Sequence, residues 1–230
     1  MSESSGTEAA SPLQTVEVQT GADPTGTVIW LHGLGADGHD FEPIVPELVA
    51  GLRTPLRFVF PHAPLRAVTL NGGARMRAWY DILGLDRHAQ QDETGVRAAD
   101  ASVCALLRRE QRRGIPAERI VLAGFSQGGA LALYTALRLA ERLAGVIALS
   151  CYLLLSDRLE AERQGANRHT PIFLAHGSYD PVVDPAYGEE TRTALEGADY
   201  PVEWHAWPMG HAVCAEEITA ISRFLARVLT

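Results

Sequence analysis

Lysine is absent from this 230-residue chain; all 20 of its basic residues are arginine. That absence assigns no function by itself, but the charge balance excludes one. Against 28 acidic residues the formal net charge is −8, whereas a nucleic-acid partner would want a basic face. Cysteine is scarce. Cys104, Cys151 and Cys214 are odd in number, far apart and set among small or apolar residues. They exclude a disulfide framework and fit buried thiols in a reducing compartment. No Cys-x-x-Cys pair occurs, so no metal site is expected. No apolar run approaches the roughly 20 residues of a membrane span. The segment from Met1 to Pro12 has neither the basic nor the apolar region of a signal peptide. The chain also lacks internal repeats and interior linkers. These absences predict a cytoplasmic protein with a disordered lead over residues 1–12 and a single domain over 13–230.

What is present is an alternation of short apolar runs with helical patterns. Strands are expected at residues 15–19 (an edge strand), 27–31, 56–60, 120–123, 145–150, 171–175 and 201–207. Helices are expected from an Asp40 cap to about Ala50, and over residues 94–113, 127–142, 185–197 and 213–229. Residues 61–92 read as irregular, a packed loop over a site. Strands alternating with helices predict an α/β fold with a mostly parallel, twisted sheet. In such sheets function gathers at the carboxyl ends of the strands.

One strand–helix junction carries chemistry. Gly124-Phe125-Ser126-Gln127-Gly128 fits G-x-S-x-G, with an apolar strand before it and a small-residue helix after it. The pattern places a serine on a sharp turn, its hydroxyl exposed at a helix N-terminus. The glycines are needed because side chains two residues either side of the serine would collide. A serine hydroxyl needs a base, and the base an orienting acid, in the chain order serine, acid, histidine. His176 precedes the best acid, and His205 lies inside a strand. His211 follows the last strand and is the expected base. Asp180, in the turn after strand 171–175, is the expected acid. Asp184 reads as a helix cap, Asp199 is also available, and Asp157 is the fallback acid.

Negative charge on the attacked carbonyl oxygen needs preorganised N–H donors. One is expected from the backbone of Gln127. The other is expected from the His32-Gly33-Leu34-Gly35 loop, at the backbone of Leu34. The same loop offers a rival. Gly33-x-Gly35-x-x-Gly38 fits the dinucleotide fingerprint, but no acidic residue for a ribose follows in residues 53–60. A dinucleotide-binding oxidoreductase and a non-catalytic binding protein of the same fold are the two alternatives to a serine esterase.

Five motifs in order carry a resemblance: residues 31–41 (LHGLGADGHDF), 77–81 (RAWYD), 124–129 (GFSQGG), 176–183 (HGSYDPVV) and Gly210-His211. Over roughly residues 13–229 they resemble the bacterial carboxylesterase branch of the acyl-protein thioesterase and lysophospholipase family. The resemblance implies an α/β-hydrolase with helices on both sheet faces and no separate cap domain. It implies Ser126, Asp180 and His211 as triad and Leu34 and Gln127 as oxyanion donors; acyl transfer through such a serine needs no metal or organic cofactor. Ala36 intervenes before Asp37, and no cysteine precedes Cys104, unlike the eukaryotic thioesterases. Small-ester hydrolysis is therefore expected ahead of protein depalmitoylation. The substrate pocket is expected at Leu70, Trp79, Leu153, Leu154 and Val182, from the three neighbouring loops. The expected partner is a small ester or thioester, with no nucleic acid and no stable membrane insertion, and a homodimer is compatible with the resemblance.

Overall fold

The computed structural model of the protein describes residues 13–84 and 90–230; the disordered lead expected over 1–12 lies outside the described residues. Among the described residues nine strands form in chain order: Thr15–Gln19 (β1), Gly26–Leu31 (β2), Leu56–Pro61 (β3), Leu65–Val68 (β4), Ala74–Arg77 (β5), Ile120–Phe125 (β6), Gly145–Leu149 (β7), Ile172–Gly177 (β8) and Val202–Trp207 (β9). Seven of them make one sheet in the order β1-β3-β2-β6-β7-β8-β9. Only β1 runs antiparallel to its neighbour. The helices are Val45–Leu48 (α1), Glu93–Arg112 (α2), Gln127–Arg138 (α3), Leu159–Glu162 (α4), Pro185–Gly197 (α5) and Ala215–Leu229 (α6). Among the described residues no helix is long and apolar enough to cross a membrane.

The central strands are apolar at consecutive positions because both sheet faces are covered. Side chains alternate across the sheet with period two. Ile29, Leu31, Leu122 and Leu174 join the core beneath α2 and α3, while Val28, Trp30, Val121 and Phe173 join the core beneath α1 and α6. The chain leaves β3 on one side of β2 and returns in β6 on the other. The loops after β2 and β6 therefore diverge at a topological switch point, where such sheets open a crevice.

Three departures from the sequence expectations have local causes. The helix expected from Asp40 to Ala50 is a 3-10 turn, Glu42–Ile44, followed by the single turn of α1, and no side chain caps either. Pro43 and Pro46 remove N–H groups and crowd the preceding carbonyls, so a long helix cannot form. The helix after Ser126 stops at Arg138. There the Asn167 amide donates to the carbonyls of Leu139 (3.3 Å) and Glu141 (2.8 Å), which fixes the chain outside the helix. The stretch 61–92 is not wholly irregular: β4 and β5 pair as a hairpin, its turn closed by Gly72 and Gly73 at φ 64° and 80°.

Helix α6 begins directly after the His211 loop and carries a buried carboxyl. Glu217 is fully buried, and among the described residues neither of its oxygens makes a hydrogen bond of good geometry. Burial pushes its pKa up to about 8, opposed only in part by the Cys214 backbone N–H. A folded-state pKa above the unfolded value means that the folded chain keeps a proton the unfolded chain releases. Stability from this group is thus full below the unfolded pKa of about 4.5 and is lost as pH rises through 8. Glu217→Gln should leave the melting temperature unchanged at pH 5. At pH 9 it should stabilise the protein by about 1–3 kcal/mol, the cost of a buried unmatched group. Thermal unfolding across that pH range checks it, and equal effects at both ends would refute it.

Candidate active site

Ser126 sits between β6 and α3 with φ 55° and ψ −121°, a conformation that L-residues rarely adopt and that stores strain. The fold holds it there. Its N–H donates to the Leu149 carbonyl of β7 (2.8 Å), and its carbonyl accepts from Ala130 N–H (3.0 Å). The two glycines of the motif are steric necessities, as expected. A Cβ on Gly124 would run into the Gly128 carbonyl, and one on Gly128 into the Leu31 carbonyl at the end of β2. The turn can therefore pack against β2 only without side chains at those positions.

Asp180 and His211 come from neighbouring loops that are stitched together. Ser178 N–H donates to the Trp207 carbonyl (2.8 Å) and Tyr179 N–H to that of Met209 (3.0 Å). A Cβ on Gly177 would collide with the Met209 and Gly210 carbonyls, so glycine is what lets the histidine loop approach the end of β8. His211 Nδ1 lies 2.7 Å from Asp180 Oδ2, and His211 Nε2 lies 3.0 Å from Ser126 Oγ. A carboxylate only accepts, so Nδ1 carries the imidazole proton and Nε2 is left to accept from the serine hydroxyl. The Phe125 ring packs against the imidazole at 4.7 Å.

The carboxylate is itself held from three directions. Oδ1 accepts from the backbone N–H groups of Val182 (2.8 Å) and Val183 (2.9 Å). The buried His176 donates Nε2–H to the Val183 carbonyl (2.9 Å) and stands 3.4 Å from Oδ2. Its Nδ1 is buried without a partner among the described residues, and burial lowers its pKa, so His176 is a neutral N–H dipole beside the acid. Sequence order set His176 aside as a base; its place beside Asp180 is a feature of the fold that order does not reveal. The other acids lie elsewhere. Asp184 caps α5 through Ala186 N–H (2.9 Å), Asp199 pairs with Arg168 on the surface, and Asp157 is exposed.

The loop after β2 lies against the serine: a Cβ on Gly33 would stand 3.4 Å from that of Ser126. Gly35 N–H donates to the Arg77 carbonyl (2.9 Å) and Ala36 N–H to that of Gly33 (3.3 Å), leaving the intervening Leu34 N–H outside the turn's own bonds. Gln127 N–H opens α3, where the first turn has no intrahelical acceptors. The Gln127 side chain is fully engaged. It accepts from Trp79 N–H (2.8 Å) and donates to the Tyr80 carbonyl (2.8 Å). His32 is also structural, donating to the Gly33 carbonyl through Nδ1 (2.7 Å) and accepting from Ala63 N–H through Nε2 (3.0 Å). Burial lowers its pKa to about 4, so it is neutral.

The same loop disfavours the dinucleotide alternative. Its Gly38 N–H donates to His62 Nδ1 (3.0 Å), so together with Gly35 and Ala36 three of its six N–H groups are spent within the protein and do not cradle a phosphate. No full helix opens at its end.

A cavity of about 320 Å³ lies beside this site. Of the residues expected at the substrate pocket, Leu153, Leu154 and Val182 line this cavity; Leu70 and Trp79 do not, and neither do Ser126 and His211. Trp79 is only 1% exposed. Its indole N–H donates to the His32 carbonyl (2.9 Å) and its ring faces that imidazole, so it braces the loop after β2. Leu70, 40% exposed, sits at the hairpin tip with its N–H bonded to the Ile82 carbonyl. The cavity abuts the site at two points. Tyr80 is bonded to the Gln127 side chain, and Val182 and Val183 are bonded to Asp180. Tyr80 and Tyr152, which sequence reading did not single out, also line it. Among the described residues no cluster of histidine, cysteine or acid residues could hold a metal ion.

Known proteins are similar to this chain in sequence and fold. The Phospholipase/Carboxylesterase family matches residues 13–229. Acyl-protein thioesterase 1 of Neurospora crassa is 43% identical over 210 residues, covering 87% of this chain and 86% of that protein. Acyl-protein thioesterase 1 of Mycosarcoma maydis is 37% identical over 236 residues, covering 95% and 98%. The crystal structure of Arabidopsis thaliana SOBER1 superposes with a TM-score of 0.84 at 31% identity, covering 89% of this chain and 99% of that one. With its serine turn at the sheet's switch point and its match along nearly the whole length, the chain belongs to the Phospholipase/Carboxylesterase family of α/β-hydrolases.

Proposed function

We propose that Ser126, His211 and Asp180 are nucleophile, base and orienting acid for acyl transfer from an ester or thioester to water. The family and its thioesterase relatives make the protein a serine hydrolase of that kind. The observation that supports these residue roles is the hydrogen-bonded line Ser126 Oγ, His211 Nε2, His211 Nδ1, Asp180 Oδ2, at 3.0 and 2.7 Å. Ser126 Oγ attacks the carbonyl carbon as its proton passes to His211 Nε2. The oxyanion is met by the N–H groups of Leu34 and Gln127. The C–O or C–S bond then breaks, and His211 returns its proton to the leaving alcohol or thiol. Water, deprotonated by the same nitrogen, attacks the acyl-serine; the acid leaves and Ser126 regains its hydrogen. No step calls for a metal or organic cofactor. Asp180 balances the imidazolium that forms twice per turnover.

The acyl chain is placed in the cavity beside Tyr80 and Val182. The whole activity is assigned to one domain over 13–230, in the cytoplasm, consistent with three free cysteines. A homodimer rests on resemblance alone, and sedimentation velocity reads it directly.

A fluorophosphonate probe should label the native enzyme once per chain, on the peptide that contains Ser126, and lose turnover in proportion. Absence of labelling on a folded chain would instead favour a binding protein of the same fold. Labelling at another serine would overturn the assignment of the nucleophile.

A further inference from the structure

Two phenols meet at the wall of the cavity. Tyr80 and Tyr152 both line it, with their hydroxyl oxygens 3.0 Å apart. Each hydroxyl has one proton to donate and two lone pairs. The bond between them uses one of the two protons. Neither hydroxyl makes any other hydrogen bond among the described residues. One O–H donor therefore remains unspent, whichever tyrosine holds it. Burial raises the pKa of both phenols, so both keep their protons at neutral pH.

Three other polar side chains on the wall already have work. The Asp81 carboxylate accepts from the Thr69 backbone N–H and hydroxyl, and Asp92 accepts from the N–H groups of Asp81 and Gly95. Gln91 Oε1 accepts from Leu155 N–H. The wall also carries the aliphatic Ile82, Leu153, Leu154 and Val183, with the Tyr187 ring 6.4 Å from that of Tyr152. An all-methylene chain filling this space would cover the spare O–H and leave it without an acceptor, which is the costly arrangement for a buried polar group. A chain with an oxygen at that depth would accept it. Sites that hydrogen-bond a substrate group discriminate against analogues lacking it far better than apolar pockets discriminate by size.

We propose that the Tyr80–Tyr152 hydroxyl pair makes this enzyme select acyl chains that carry an acceptor oxygen, a hydroxyl, keto or ether group, over plain saturated chains of the same length. This rests on the esterase reading above, with the acyl chain in the cavity. The donor count also sets which variant removes the selection. Changing one tyrosine to phenylalanine deletes the mutual bond but leaves one hydroxyl with its proton, so a donor persists. Only the pair Tyr80→Phe and Tyr152→Phe removes it.

The test is a position scan. The p-nitrophenyl ester of an eight-carbon acid is compared with isosteres in which successive methylenes are replaced by an ether oxygen. Each kcat/KM is divided by the hydroxide-catalysed rate of the same ester. In the native enzyme one chain position should gain about tenfold over the plain chain, the scale of one buried hydrogen bond. The ratio of oxygenated to plain ester within each enzyme should fall to about one in the double variant and persist in part in either single variant. A native enzyme with no favoured oxygen position overturns the proposal without any variant being needed. So does a ratio that survives the double change. If p-nitrophenyl acetate is still cleaved at the native rate by Ser126→Ala, the assignment of the reacting serine fails first, an outcome distinct from a flat scan in an enzyme that needs Ser126.

Discussion

Asp180→Asn is expected to lower kcat by about 10⁴ while leaving KM and the melting temperature nearly unchanged. The reason lies in how the carboxylate is held. Oδ1 accepts two backbone N–H bonds, from Val182 and Val183 at 2.8 and 2.9 Å. An asparagine must keep its carbonyl oxygen on that side, because an NH₂ group there would face two donors. Its NH₂ then takes the place of Oδ2 and points at His211 Nδ1 and at the Nε2–H of His176. His211 can satisfy that NH₂ only by accepting through Nδ1, which moves its proton to Nε2. The imidazole then presents an N–H to Ser126 Oγ and cannot take the serine's proton. The loss is thus one of tautomer, with the geometry intact, and it should be read as a fall in kcat and in fluorophosphonate labelling together. A variant within tenfold of the native rate would show that Asp180 does not orient His211.

How much of this was legible beforehand follows from which features are local. The serine turn announces itself because its demands are met within five residues, Gly124 to Gly128. The candidates Asp180 and His211 emerge from chain order and from their positions after strands, both of which a one-dimensional pattern preserves. Contacts that span the chain leave no such trace. The Gln127 amide clamps the backbone of Trp79 and Tyr80, 48 and 47 residues away, and the Tyr80–Tyr152 bond spans 72. Trp79 shows the limit. A tryptophan in a loop reads equally as pocket wall or as core, and only the fold shows its indole bonded to the His32 carbonyl. The hairpin of β4 and β5 was obscured differently. Asn71-Gly72-Gly73 is a turn signal, but strands of four residues between prolines and arginines are too short for alternation to declare them. The shortened α1 was legible in principle, since two prolines within four residues forbid a long helix.

Ser126→Ala is expected to cost the most, about 10⁶ in kcat, with a residue of rate over water supplied by the oxyanion donors and substrate binding. The more informative comparison is with Ser126→Gly. Both variants lose the attacking oxygen, so both should be equally inactive. They differ in the backbone. At φ 55° and ψ −121° the alanine Cβ keeps the strain of the native serine, whereas glycine adopts positive φ at no steric cost. Ser126→Gly should therefore be more stable than Ser126→Ala by about 1 kcal/mol, although glycine normally destabilises a folded chain through its larger entropy loss. Thermal unfolding of the two inactive variants measures the difference. A higher melting temperature for glycine means that the turn stores strain in order to present the hydroxyl, and that the protein gives up stability at the one residue whose placement the chemistry requires. A lower one would mean that the packing of Gly124 and Gly128 against their neighbours makes this backbone conformation the relaxed one, and that the exposure of Ser126 carries no energetic cost.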